Sequence, residues 1–279
     1  MKILSQTVSG MYVWSIALIS LLDIISGYTL HAFPAALIVA VAASAVVEIV
    51  LWRFYLKRQY RIPFSGLITG LIIGSVAPIN APLLLVLLAS IAAILSKFFI
   101  KFKGTNILNP ASIGLIAALA LFGMGDEWWA ASTYNVLGVA VSLTPILIVL
   151  AYEARRIPTA LSFAAVAIIS QVLLALSAEG ADIGAIVSAA FSINYFLAFV
   201  MLIEPKTSPH ARNAQIAYGI GVALMYIALP LLHVPYFALV ALLAGNLAYF
   251  AYRKYFRARN AASATGSVPA TSTSLSQPL

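Results

Sequence analysis

The chain has 279 residues, of which 63% are hydrophobic and only 9% are charged, and its net charge is +8. A soluble domain carries about 25% charged residues, so this composition excludes an ordinary soluble fold and indicates that lipid surrounds most of the chain. The chain has no cysteine, no glycine-rich nucleotide motif, and no basic stretch interleaved with aromatics. We therefore expect no thiolate-bound zinc or iron–sulfur cluster, no NADH or ATP site of the usual kinds, and no nucleic-acid partner. The histidines His31, His210 and His233 are scattered in loops and at span ends, so we predict no metal site.

Apolar segments follow one another along the whole chain and predict an all-α, polytopic membrane protein with about ten transmembrane helices. They cover residues 11–30, 33–52, 65–77, 82–100, 109–123, 135–152, 158–177, 183–203, 214–232 and 235–252. As helices, segments 65–77 and 109–123 would rise only about 20–23 Å, less than a hydrocarbon core of roughly 30 Å. We expect these two to be half-spans or to extend into polar flanks.

The distribution of charge predicts the orientation. With a cytoplasmic N-terminus and ten spans, all 16 Lys and Arg residues fall on the cytoplasmic side. The opposite side holds only acidic residues, namely Asp126, Glu127, Glu179 and Asp182. This partition matches the positive-inside rule. We therefore expect a multi-pass protein of the cell (plasma) membrane with both termini in the cytoplasm.

The two halves of the chain are similar when one is shifted by 127 residues. The shift aligns Phe64-Ser65 with Phe191-Ser192, Pro78 with Pro205, and Pro82 with Pro209. We predict a first five-span repeat at 1–130, a second repeat at 131–255 and a disordered cytoplasmic tail at 256–279. Because five is an odd number, the second repeat would be inverted. Inverted repeats are typical of proteins that move a solute between the two halves, although such symmetry can also be purely structural.

An unusual polar segment, residues 103–111, precedes the fifth span. Gly104 allows a sharp turn, and Asn109 can cap a helix that begins at Pro110. The free N–H groups of such a helix end would suit a phosphate or another anion. The alternative is a capped helix with no ligand.

Three carboxylates lie in or next to apolar segments. Asp23, inside the first span, is a candidate ligand for an ion or a proton, because a carboxylate in lipid is costly unless it faces the bundle interior. Glu204 ends the eighth segment and is a second ion-pathway candidate, or else a surface carboxylate paired with Lys206 or Arg212. Glu48 is expected to form an interfacial pair with Arg53.

A resemblance to a known family emerges from two stretches. Phe64-Ser65-Gly66-Leu67-Ile68-Thr69-Gly70-Leu71 leads through Ala77-Pro78 and Lys97 to Gly104, Asn106, Asn109-Pro110-Ala111 and Gly114. The second half has Phe199 followed by Glu204-Pro205-Lys206-Thr207-Ser208-Pro209. These stretches, roughly 60–125 and 190–252, resemble the RnfD/NqrB family, the large membrane subunits of the Rnf complex and of the sodium-translocating NADH:quinone reductase.

The resemblance implies a ten-span subunit that holds flavin and helps couple electron transfer to Na⁺ or H⁺ movement. It would not bind NADH itself but would work beside other membrane subunits and flavin or iron–sulfur subunits. On this basis the flavin-binding candidates are Asn106, Asn109, Pro110, Thr133, Thr207 and Ser208.

The family's Ser-Gly-Ala-Thr motif, whose Thr takes FMN covalently, is reduced here to Ser132-Thr133, so FMN or riboflavin would be held non-covalently. Trp128 and Trp129 are expected either in the interfacial aromatic belt or stacked on a flavin. No catalytic residue is assigned. The competing functions are a stand-alone transporter or channel on the same scaffold and a non-catalytic assembly subunit.

Overall fold

A computed structural model describes residues 2–31, 35–57, 61–130, 137–178 and 182–265. Within these ranges the chain is mostly helical, and helix occupies part of each predicted apolar segment. The α-helices are α1 (Lys2–Thr29), α2 (Ala35–Val50), α3 (Phe64–Val76), α4 (Leu83–Phe99), α5 (Pro110–Phe122), α6 (Leu137–Glu153), α7 (Ile157–Leu176), α8 (Ile183–Phe191), α9 (Arg212–Leu231) and α10 (Phe237–Thr265).

Among the described residues, three helical stretches are long and apolar enough to cross a membrane, which indicates a membrane protein. They are Ala35–Tyr55, Ile157–Leu176 and Arg212–Leu231, the first of which joins α2 to a π-helical turn at Leu51–Tyr55. Large apolar side chains such as Ile38, Leu173 and Leu174 are exposed on the outside of the bundle, as expected for residues that face lipid. Helices α3 and α5 have 13 residues each, so both are as short as predicted.

The eighth apolar segment is not one continuous helix, and that prediction is wrong. Helix α8 ends at Phe191, and a π-helical turn follows at Leu197–Met201. Asn194 lies in the interruption, where its side-chain oxygen accepts a hydrogen bond from the Leu197 N–H at 2.7 Å. Asn and Ser compete with backbone hydrogen bonding, which explains the break between Ser192 and Asn194.

Two further expectations need correction. A short hairpin, β1 (Lys101–Phe102) paired with β2 (Thr105–Asn106), turns at Gly104, so the chain is not purely α. Helix α10 continues to Thr265, so the prediction of disorder from residue 256 is wrong for 256–265. Alanine and arginine favour helix, and extending an existing helix avoids the cost of nucleation. Residues 266–279 lie outside the described ranges.

The helices of the two halves pack in a similar pattern. In the first half, α1 contacts α3, α2 contacts α3 and α4, and α4 contacts α5. In the second half, α6 contacts the π-helical turn at 197–201, α7 contacts α8 and α9, and α9 contacts α10. The halves meet where α1 packs on α6 and α5 packs on α10.

The C-terminal end of the short helix α3 is closed by residues 127–130. The backbone N–H groups of Glu127 and Trp128 donate to the Val76 carbonyl, at 3.1 and 3.3 Å. The indole N–H of Trp129 donates to the Gly74 carbonyl at 2.7 Å, and this side chain is only 1% exposed. Trp129 is therefore a core residue, and its expected place in an aromatic belt or on a flavin is wrong. A helix too short to reach water has its last carbonyls satisfied by protein instead.

Candidate functional site

The Glu204 carboxylate lies in the turn that follows the broken eighth segment. Its Oε2 accepts a hydrogen bond from Asn109 Nδ2 at 3.0 Å and lies 3.4 Å from Thr207 Oγ1. The Glu204 carbonyl accepts hydrogen bonds from the Thr207 and Ser208 N–H groups, at 3.2 and 3.0 Å. The side chain is thus fixed both by its own turn and by a residue from the first half of the chain.

Asn109 is the centre of this cluster and is 1% exposed. Its Oδ1 accepts from the Ser112 N–H at 3.0 Å and so caps α5, as predicted, with Pro110 in the first turn. Its backbone N–H donates to Asn246 Oδ1 of α10 at 2.8 Å, and Asn246 Nδ2 donates to the Tyr218 hydroxyl of α9 at 2.6 Å. A continuous chain of hydrogen bonds therefore runs from α9 through α10 and α5 to Glu204.

The predicted anion site at the start of α5 has an internal occupant. Asn109 caps the helix, and the Glu204 carboxylate is bound to that cap. A negative charge next to a helix N-terminus is favourable, so the chain itself supplies the anion that the sequence suggested. The predicted cap is therefore confirmed, and the carboxylate next to it comes from the second half of the chain.

Glu204 does not form the surface ion pair considered from the sequence. In the described part of the chain the one salt bridge is between Lys97 Nζ and Glu48 Oε1, at 2.9 Å, with both side chains buried. Glu48 thus pairs with Lys97 of α4, and its expected pairing with Arg53 is wrong. Burial raises the pKa of Glu204 above its ordinary value, against the opposing attraction of Lys206 and Lys97.

A second polar group supports the Glu204 turn from α6 and α7. Ser208 Oγ donates to the Glu204 carbonyl at 2.7 Å and accepts from Arg156 Nε at 2.9 Å. The Arg156 guanidinium is buried, donates to the Arg155 carbonyl, and contacts His210. Burial lowers the pKa of His210, and the nearby charges of Arg156 and Arg253 lower it further. Arg156, Ser208 and His210 therefore hold the Glu204 turn in place, and none of them is a carboxylate.

A cavity of about 110 Å³ lies against Glu204, between the two halves of the chain. The first half contributes Ser15 and Ile19 of α1, Ser65 and Thr69 of α3, and Asn109. The second half contributes Leu150 and Ala154 of α6, Val200, and Glu204 with its neighbours Pro205 and Lys206. The cavity thus combines one carboxylate with hydroxyl-bearing side chains of α1 and α3, which are ligand types that hard cations take, and with the positively charged Lys206.

The structure therefore brings together only some of the site residues that the sequence predicts. Asn106, Asn109, Pro110, Thr207 and Ser208 lie around Glu204, and the buried Asn106 amide stabilises its carboxylate. Asp23 lines a different cavity, between α1, α2 and α3. Thr133 lies outside the described residues.

The sequence reasoning missed Asn246, Tyr218 and Arg156. Asn246 is an isolated amide in an otherwise apolar segment, and this signal could have identified it. Tyr218 has no such signal, because tyrosines are common in these helices. Arg156 was considered only as one of the cytoplasmic charges.

The cluster does not fit a flavin in this conformation. The cavity of about 110 Å³ is smaller than the roughly 300 Å³ at which small-molecule sites begin. Asn109 and Ser208 already use their polar atoms within the protein. The flavin assignment stays a prediction, and no step below depends on it. Neither the scan against protein-family models nor the search of curated proteins finds a match for this chain.

Proposed function

We propose that this chain is a ten-span subunit of the cell membrane, with both ends cytoplasmic, that moves a cation in a redox-driven electron transport complex. The two five-helix halves would be inverted repeats, and Glu204 would bind the cation between them. The partly buried Glu204 carboxylate, held by Asn109 from the other half, is the observation that carries this proposal. Other membrane subunits and flavin or iron–sulfur subunits would supply the electrons, since the chain has no cysteine to hold a cluster.

The packing of the halves supports the repeat. Each helix has a counterpart with similar neighbours, and the contacts α1–α6 and α5–α10 each join a helix to its own counterpart. Where two repeats meet on a two-fold axis, an element of one repeat contacts the equivalent element of the other. The break in the eighth segment also supports transport, because interrupted helices next to a binding site at a repeat interface are common in transporters.

The test is ion uptake by inverted membrane vesicles that contain the chain together with its native partners. With a reduced electron donor, wild-type vesicles should accumulate Na⁺ or H⁺, and Glu204→Gln should lose this uptake. Glu153→Gln is the matched control, because Glu153 is an exposed carboxylate at the end of α6. Equal uptake by wild type and Glu204→Gln would refute the role of Glu204.

The second candidate is a stand-alone transporter or channel on the same scaffold. The small cavity next to Glu204, which does not fit a flavin, favours this alternative. Liposomes that contain only the purified chain distinguish the two. Ion uptake down a gradient, with no electron donor and no partner subunit, would support the transporter and contradict a redox subunit.

A further inference from the structure

Asp23 forms a second carboxyl site, which is buried and separate from Glu204. It lies on α1 six residues before the helix end at Thr29, so it is about 9 Å inside that end along the helix axis. Only 1% of the residue is exposed. Its Oδ1 is 2.7 Å from the Ser75 hydroxyl of α3, and its Oδ2 has no hydrogen-bond partner among the described residues.

The Ser75 hydroxyl makes two short contacts and has only one hydrogen. Its Oγ lies 2.7 Å from Asp23 Oδ1 and 2.6 Å from the Leu71 carbonyl oxygen. If Asp23 were ionised, both neighbours of the hydroxyl would be acceptors, and one short oxygen–oxygen contact would lack a hydrogen. If Asp23 carries a proton, the carboxyl donates to Ser75 and Ser75 donates to Leu71. Both contacts are then hydrogen bonds.

The surroundings of Asp23 also favour the neutral acid. It lines a cavity of about 350 Å³ whose other lining residues, from α1, α2 and α3, are aliphatic except for Ser20. No charged side chain is among them, so an ionised Asp23 would be a buried charge without a partner, which is strongly unfavourable. A metal cation would need several oxygen ligands, whereas this cavity offers few besides Asp23 itself.

We propose that Asp23 is a proton-binding site, in which the protonated carboxyl donates to Ser75 and exchanges its proton with water. This proposal adds to the proposed function by naming H⁺ as the ligand of Asp23 on α1. Any role of Asp23 in transport rests on the proposed function. The proton is transferred between water and an Asp23 oxygen, and no other bond forms or breaks. Glu204, with its many polar neighbours, remains the site for a cation.

The experiment is infrared spectroscopy of the full chain in liposomes, after growth on aspartate with heavy carbon in the side-chain carboxyl. The label reports only Asp23, Asp126 and Asp182, because the sequence has no other aspartate. At neutral pH we expect one carbonyl stretch of a protonated carboxyl that shifts with the label and disappears in Asp23→Asn. It should persist in Asp182→Asn, where the exposed cap of α8 is changed conservatively.

Two further measurements complete the test. In Ser75→Ala the band should move to higher frequency, because the carboxyl loses its hydrogen-bond partner. In deuterium oxide it should move to lower frequency as the proton exchanges. Identical spectra of wild type and Asp23→Asn would overturn the proposal, and so would a band that never exchanges, since that proton would be purely structural. These outcomes do not depend on Glu204 or on ion uptake, so failure here is distinct from failure of the proposed function.

Discussion

Replacing Asn109 by alanine should destabilise the fold more than loss of a helix cap alone. Asn109 both caps α5 and donates to the Glu204 carboxylate. Loss of the cap costs about 1 kcal/mol, and loss of a hydrogen bond to a charged group costs about 1.5–3 kcal/mol. The expected decrease in the free energy of unfolding is therefore about 2.5–4 kcal/mol.

Asp182→Ala is the matched control for the cap. Asp182 Oδ1 caps α8 by accepting the Ala185 N–H at 2.7 Å, but this residue is exposed. Its replacement should cost only about 1 kcal/mol. Reversible unfolding by sodium dodecyl sulfate in mixed micelles, followed by tryptophan fluorescence, gives both values on one scale.

A double-mutant cycle separates the cap from the link to Glu204. The cost of Asn109→Ala should fall to about 1 kcal/mol in a Glu204→Ala background, because only the cap is then lost. If Asn109→Ala costs no more than Asp182→Ala, or if its cost is the same in both backgrounds, Asn109 does not stabilise Glu204. The Asn109–Glu204 hydrogen bond between the two halves would then contribute nothing to the stability of the fold.

Three other outcomes are expected. Gly70→Ala should cost about 1–3 kcal/mol on the same scale, because the new Cβ would lie 2.5 Å from Val41 Cα, whereas Gly221→Ala, with no atom within 4 Å, should be neutral or stabilising. Reporter fusions after Glu127 should lie outside the cell and those after Arg156 inside, and a common side would refute the ten-span topology. Any flavin in the purified complex should appear in the supernatant after acid precipitation, and a fluorescent band of the chain on a denaturing gel would show a covalent link instead.

The sequence predicted best what depends on short stretches of chain. Helix occupies at least part of every predicted apolar segment because residues within lipid must satisfy their backbone hydrogen bonds internally, whatever their neighbours are. The cap of α5 was also predictable, since Asn109 and Pro110 act on adjacent residues. These features need no knowledge of which helices meet.

Contacts between distant residues could not be predicted in the same way. Glu48 pairs with Lys97 rather than with Arg53, because α2 packs along α4 and the shorter sequence distance is irrelevant. Trp129 looked like a residue of the membrane surface, but it closes the end of α3. The hydrogen bonds of Asn246 on α10 to Asn109 and to Tyr218 on α9 likewise follow from the packing of the helices, which the sequence pattern does not specify.

The pH dependence of stability should report cation binding at Glu204. Burial raises its pKa above the ordinary value of 4.5, so the folded chain holds this proton more tightly than the unfolded chain does. The resulting stabilisation is complete below pH 4.5 and is lost as the pH rises through the raised pKa. Glu204→Gln mimics the protonated form, so it should match wild type in acid and exceed it in stability at higher pH.

Sodium provides the decisive comparison. A cation that binds the ionised carboxylate in the folded state stabilises that state by mass action. In sodium chloride, wild type should therefore recover part of its lost stability at high pH, and choline chloride at the same ionic strength should not have this effect. Glu204→Gln should respond equally to both salts. If sodium and choline act alike on wild type, Glu204 does not bind sodium. If sodium stabilises Glu204→Gln as much as wild type, the sodium site lies elsewhere in the chain.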